Sequence, residues 1–116
     1  MFCYSKELPT HNFAEGVVLK ILGHAENMNV LHWDMEDGSV VAWHSHPEEQ
    51  FGYCIAGGFS MRVGDETAEL RAGDCYFIPP NVPHEFTAVG KTEAIDVFSP
   101  MKPSLPGLDL ISPAAE

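Results

Sequence analysis

Runs of β-branched and aromatic residues along this chain are short, and turn-forming residues interrupt them at regular intervals. The runs lie near 17–23, 28–36, 39–46, 50–57, 59–64, 67–71, 75–78, 84–89 and 92–98. Between them stand Glu36-Asp37-Gly38, Gly57-Gly58, Gly64-Asp65, Ala72-Gly73-Asp74 and Pro79-Pro80-Asn81, groups built around residues that turns favour. No stretch of about 10 or more residues carries a helical period. A short turn is expected around 5–10. The segment 100–116, with Pro100, Pro103, Pro106 and Pro113, is expected to be irregular and to pack across a neighbouring sheet or subunit. Many short strands at even spacing predict an all-β sandwich or barrel.

Alternation along the run 39–46 places His44 and His46 on one face, where two imidazoles can grip one ion. Val40 and Ala42 share that face and are small enough to leave a cavity. Pro47 breaks the ladder, and Gln50 opens the next strand with an amide oxygen that can complete the grip. Far along the chain, Pro79, Pro80 and Pro83 stiffen the loop that leads into His84. On the opposite parity, Val41, Trp43, Phe51, Tyr53 and Ile55 make an apolar face that needs a cover. Cys54 shares parity with Gln50 and reads as small apolar filler, with no activating base beside it.

Composition narrows the chemistry. The 116 residues suffice for one domain and one packed core. Six Lys and Arg against 17 Asp and Glu give a formal charge of −11. Such a surface repels phosphate backbones, which argues against a nucleic-acid partner. An acidic small ligand would have to be drawn by a local positive centre, such as a metal. Cys3, Cys54 and Cys75 form no close pair, so three reduced thiols and a cytoplasmic location are expected. No signal peptide is visible at the start, and no apolar stretch approaches the ~20 residues that span a membrane.

Two motifs carry a family resemblance. The first runs from Gly38 through His44-Ser45-His46 and Gln50 to Gly57, and the second from Gly73 through Pro79 and Asn81 to His84. In these residues and spacings the chain resembles the cupin superfamily, in its small single-domain type. The resemblance implies an all-β double-stranded β-helix, a jelly-roll or cupin barrel, spanning 1–116 as one domain. It also implies one divalent transition metal (Zn, Fe, Ni, Mn or Cu) held by His44, His46, Gln50 and His84. The family usually has Glu where Gln50 stands, Gly where Asn81 stands and Asn where Ala88 stands. Asn tolerates a positive φ. A neutral Gln50 leaves the ion's charge uncompensated, which implies weaker binding but stronger polarisation of a bound oxygen anion. Without a metal, the same histidines read as buried, hydrogen-bonded core groups. His11, His24 and His32 read as ordinary residues, with His32 the one that could reach the cavity.

The last strand places Ala94, Asp96 and Phe98 on one face, and a buried aspartate is costly unless paired, solvated or functional. This segment, with Lys102 beyond it and the Pro47–Gln50 stretch before it, resembles KdgF-type cupins of pectin and alginate breakdown. Those convert 4,5-unsaturated monouronates into linear keto forms. The resemblance implies Asp96 as acid and base, Phe98 as a wall against the sugar and Lys102 as partner of its carboxylate. The family commonly has Arg at that last position, and Lys offers a point charge instead of a bidentate fork. Taken alone, Asp96 reads as a hydrogen-bonded strand or dimer residue, Phe98 as core, and Lys102 as a solvated surface lysine. The resemblance also implies a homodimer through the apolar face. Two other classes fit the same residues: an Fe(II)-dependent dioxygenase-type cupin, and a non-catalytic sugar- or metal-binding module.

Overall fold

A computed structural model describes residues 2–111. The nine expected strands form with ends shifted by at most two residues: β2 (Val17–His24), β3 (Asn29–Met35), β4 (Val40–His44), β5 (Glu49–Ala56), β6 (Gly58–Val63), β7 (Glu66–Arg71), β8 (Cys75–Ile78), β9 (His84–Ala88) and β10 (Thr92–Ser99). A single 3-10 turn covers Ser5–Glu7, inside the expected turn. A further strand, β1 (Thr10–Ala14), precedes them as an edge strand paired with β2. Its sequence Thr-His-Asn-Phe-Ala is mostly polar, because only Phe13 packs inward from an edge that solvent reaches.

The expected irregular tail is corrected in part. β11 (Ser104–Leu105) and β12 (Leu108–Asp109) form a tight hairpin that buries Leu105 and Leu110. Pro113 and the end of the tail lie outside the described residues.

All strand pairings are antiparallel. One sheet runs β1-β2-β3-β10-β5-β8 and the other β4-β9-β6-β7. They face each other as a jelly roll, the expected all-β class. Strict alternation on β3 and β10 sends every second side chain into the shared interior. Edge-to-face ring contacts join the sheets there: Trp33 to Phe86 at 6.3 Å, Phe86 to Phe59 at 5.1 Å, and Phe59 to Tyr76 at 6.3 Å.

One irregularity positions the site. On β4 and β9, Val41 pairs with Phe86 and His44 with His84, so three steps on one strand match two on the other. This β-bulge inverts the parity of β4. Val41 therefore joins the buried core beside Phe86, and His44 still turns inward. The expectation that Val40 and Ala42 share the face of His44, with Val41 on an outer face, is corrected accordingly. His46 also lies outside the strand, which ends at His44.

Phe59 is fully buried and touches both ring neighbours named above. Phe59→Ala is expected to cost about 3–5 kcal/mol. Val89→Ser, at a position 53% exposed, is expected to stay within about 0.5 kcal/mol. Urea unfolding midpoints measure both.

Candidate metal centre

Three imidazoles converge at one end of the interior. Ring centroids lie 4.3 Å apart for His44 and His84, 4.9 Å for His46 and His84, and 5.6 Å for His44 and His46. His44 comes from the end of β4, His46 from the loop after it, and His84 from the start of β9 behind the proline-rich loop. Asn81 supports that loop at φ 67°, and its N–H donates to His46 O at 2.8 Å.

Each ring is held by a backbone carbonyl. Nδ1–H donates to Ala42 O at 2.7 Å in His44, to Glu48 O at 3.0 Å in His46 and to Val82 O at 2.9 Å in His84. A carbonyl can only accept, so Nδ1 carries the proton and Nε2 of each neutral ring keeps its lone pair. Ligand atoms of the three rings lie within 4.8 Å of one another, and His84 Nε2 is buried with no protein partner. Burial pushes His84 down to about 4 and also lowers His46. Both rings are thus kept neutral near pH 7.

Gln50 adds an oxygen. Its Oε1 lies 3.0 Å from His46 Nε2. Two lone pairs at that distance repel unless a cation or proton lies between them. Two donors at right angles, each ~2.1 Å from one ion, are about 3 Å apart. The donor set His44, His46, His84 and Gln50 therefore fits a divalent metal, and its chemistry of three imidazoles and one amide oxygen suits several transition ions.

The remaining expected residues line the same cavity of about 720 Å³, which also takes in Trp33, Phe86 and the β11 end. Asp96, at the middle of β10, is fully buried. Tyr76 donates its hydroxyl to Asp96 Oδ1 at 2.6 Å, while Oδ2 has no partner. Burial raises this carboxyl to about 6, against the opposing pull of Tyr76, Gln50 and Trp33. The indole N–H of Trp33 faces it without forming a hydrogen bond. Phe98 sets its ring edge-on to His46 at 5.6 Å. The lone reading of Lys102 as a solvated surface lysine is corrected: its side chain is 13% exposed, and its ammonium lies 3.8 Å from Glu48.

Three residues of the site carry no signal in the sequence reading. Glu48 is a buried carboxylate between His46 and Lys102. Asn29, fully buried, donates from Nδ2 to Lys102 O and accepts from Lys102 N, both at 2.9 Å. Tyr76 reaches Asp96 from β8. A carboxylate in the Pro47–Gln50 stretch was visible, but its burial was not. His32 lies outside the cavity lining and bonds Glu93 at 2.6 Å on the other sheet surface. Asp34 approaches the opposite ring nitrogen at 3.7 Å, and His32, Asp34 and Glu93 bring ligand atoms within 4.8 Å of one another in a second cluster outside the cavity.

Comparison with known proteins agrees with this architecture. A family profile described as cupin domain matches residues 31–98. KdgF from Halomonas sp. superposes with a TM-score of 0.83 at 26% identity, covering 88% of this chain and 96% of that one. An RmlC-like cupin from Shewanella frigidimarina gives 0.81 at 26% identity, covering 85% and 89%. The polyketide synthase CurC of Streptomyces cyaneus is 39% identical over 85 residues, 69% of this chain and 55% of that protein. The chain thus spans about half the length of that curated relative. With its matched profile covering both motifs and all four donor residues, the chain belongs to the cupin domain family.

Proposed function

We propose that this protein is a metal-dependent cupin, a single domain over 1–116, that opens 4,5-unsaturated monouronates to linear keto acids. The observation that carries the reading is one cavity lined by His44, His46, Gln50, Asp96, Phe98 and Lys102, with the His84 imidazole converging on the two histidines of that lining. Similarity to the Halomonas KdgF over nearly the whole chain supports it.

The reaction is an isomerisation. The anomeric hydroxyl loses its proton, C1 becomes a carbonyl as the C1–O5 bond breaks, and O5 leaves as the enolate oxygen on C5. A proton delivered to C4 completes the keto acid, so nothing is gained or lost. A divalent ion on His44, His46, His84 and Gln50 would supply Lewis acidity toward developing negative oxygen. Asp96, poised near neutrality, takes the anomeric proton and returns one to C4. Lys102 meets the substrate carboxylate, Asn29 fixing its backbone and Glu48 its ammonium. Phe98 and Trp33 present apolar walls to the ring and keep water out.

The outer face of the six-stranded sheet supports a homodimer. Phe77, Tyr53 and Ile55 are exposed there, and Phe51 stacks obliquely on Phe77 at 5.1 Å. Of the apolar face that needed a cover, Phe51, Tyr53 and Ile55 lie here, while Val41 and Trp43 belong to β4 of the other sheet, Val41 in the core and Trp43 beneath the Arg62 guanidinium at 4.4 Å. Cytoplasmic residence fits the free thiols of Cys3, Cys54 and Cys75. No helix among the described residues is long and apolar enough to cross a membrane.

Purified protein is expected to hold one divalent ion per chain by elemental analysis and to speed the loss of the enol ultraviolet absorbance of an unsaturated monouronate. Chelation and Asp96→Asn should each lower the rate about 100-fold or more, Asp96→Asn with the ion still bound. Oxygen uptake with no uronate turnover would reassign the protein to the dioxygenase class.

Stability of the chelated protein checks the state of Asp96. Its carboxyl titrates near 6 when folded and near 3.9 when unfolded. Between those values the unfolded chain releases a proton that the folded chain keeps, so stability falls as pH rises from about 4 to 6. Asp96→Asn should therefore gain about 3 kcal/mol above pH 7 and nothing below pH 4, read from urea midpoints. Phe77→Glu should convert a dimer to a monomer in sedimentation at micromolar concentration, with turnover retained.

A further inference from the structure

Four residues form one row across the six-stranded sheet. Leu31 on β3 pairs with Asp96 on β10, Asp96 with Gly52 on β5, and Gly52 with Tyr76 on β8. All four point into the interior. Asp96 and Tyr76 are thus two strands apart, about 10 Å of sheet. No short polar side chain bridges that distance over an intervening residue.

Gly52 makes the bridge possible. It lacks the positive φ seen at Gly57 and Gly64, so its backbone does not require glycine. Its space does: a Cβ at Gly52 would lie inside the Tyr76 ring, against Cζ, Cε2 and the hydroxyl. The ring therefore lies flat across β5 in the gap that the missing side chain leaves. Its hydroxyl arrives at Asp96 Oδ1 at 2.6 Å, in a fully buried contact.

The contact makes the two carboxyl oxygens unequal. A phenol O–H that donates to Oδ1 excludes a second proton there, so a neutral Asp96 carries its proton on Oδ2. Oδ2 is also the oxygen that forms no hydrogen bond, buried with the Gln50 and Trp33 side chains near the carboxyl, on a residue that lines the cavity. We propose that Tyr76, seated over Gly52, is the positioning residue of Asp96, pinning Oδ1 so that Oδ2 is left for the substrate. This rests on the uronate reading above for the identity of the substrate, while the contact itself does not.

The variants Tyr76→Phe and Gly52→Ala test it in the full, metal-loaded chain. Phe keeps the ring on Phe59 and removes only the hydroxyl, and Gly52→Ala leaves both polar groups in place but displaces the ring. Each should lower kcat by ~10- to 100-fold, with KM for the monouronate within about twofold. Neither should lower the rate further in an Asp96→Asn background. Metal content should not change. In chelated protein carrying 13C-labelled tyrosine, Asp96→Asn should shift the Tyr76 Cζ resonance. Tyr76→Phe with wild-type kcat, a loss confined to KM, or an unmoved Cζ resonance each overturns the assignment. A wild-type chain that leaves the monouronate unchanged overturns the functional reading and with it the role in that reaction, and is told apart because it concerns the parent protein. If either variant fails to fold, the other and the resonance shift still decide.

Discussion

Three backbone carbonyls, of Ala42, Glu48 and Val82, each take the Nδ1 proton of one histidine, and the rest of the site depends on that arrangement. Each bond fixes a tautomer and a ring orientation together. The three Nε2 lone pairs are left in one small space with few protein donors to satisfy them, as the orphaned Nε2 of His84 makes plain. Burial keeps at least two of the rings neutral. Such a cluster would be a cost in an ordinary core, because buried acceptors that find no donor destabilise a fold. A divalent cation would remove the cost, and an uncharged Gln50 beside it would leave the cation's charge to act on a bound oxygen.

Charge is arranged around this centre with equal economy. The protein as a whole carries −11, yet the groups that meet the cavity are an ammonium, a set of uncharged donors and one carboxyl raised to about 6 by burial. Glu48 lies 3.8 Å from the Lys102 ammonium and 3.6 Å from His46, so no buried charge stands alone. Asp96 is the exception in kind. Burial raises it, one oxygen is held by Tyr76, and the other is unpartnered. A group that destabilises the fold when ionised and lines a cavity has the character of a functional residue.

The scaffold supplies these positions by departures from regularity. The β-bulge between Val41 and His44 turns a core residue and a ligand to the same side of β4. The missing side chain at Gly52 lets Tyr76 cross a strand. The C-terminal hairpin, pinned through Lys102 by Asn29, closes one wall. Each feature lies where the regular sheet alone would have placed the wrong side chain.

Most strands were legible because turn residues and β-rich runs are local properties, and the ranges 50–57, 75–78 and 92–98 fall almost where β5, β8 and β10 lie. Fixed spacing likewise exposed His44, His46, Gln50 and His84, and strand parity put Asp96 and Phe98 on an inward face. Where local pattern was weak or misleading, it failed for physical reasons. β1 is an edge strand with one buried residue, so its hydrophobic signal is faint. Parity misplaced Val41 because an extra residue in a strand leaves no mark on composition. Lys102 looked solvated because its burial depends on Asn29, 73 residues away, and on Glu48. The sequence by itself determined the fold class and, through the resemblance of its two motifs, the family and four candidate donor residues, since strand alternation and motif spacing are carried by the chain alone. Only the tertiary structure decided which nitrogen of each ring is free, which oxygen of Asp96 is held and where Lys102 points. Those depend on the register of strands distant in sequence, through the hydrogen bonds and burial that register creates.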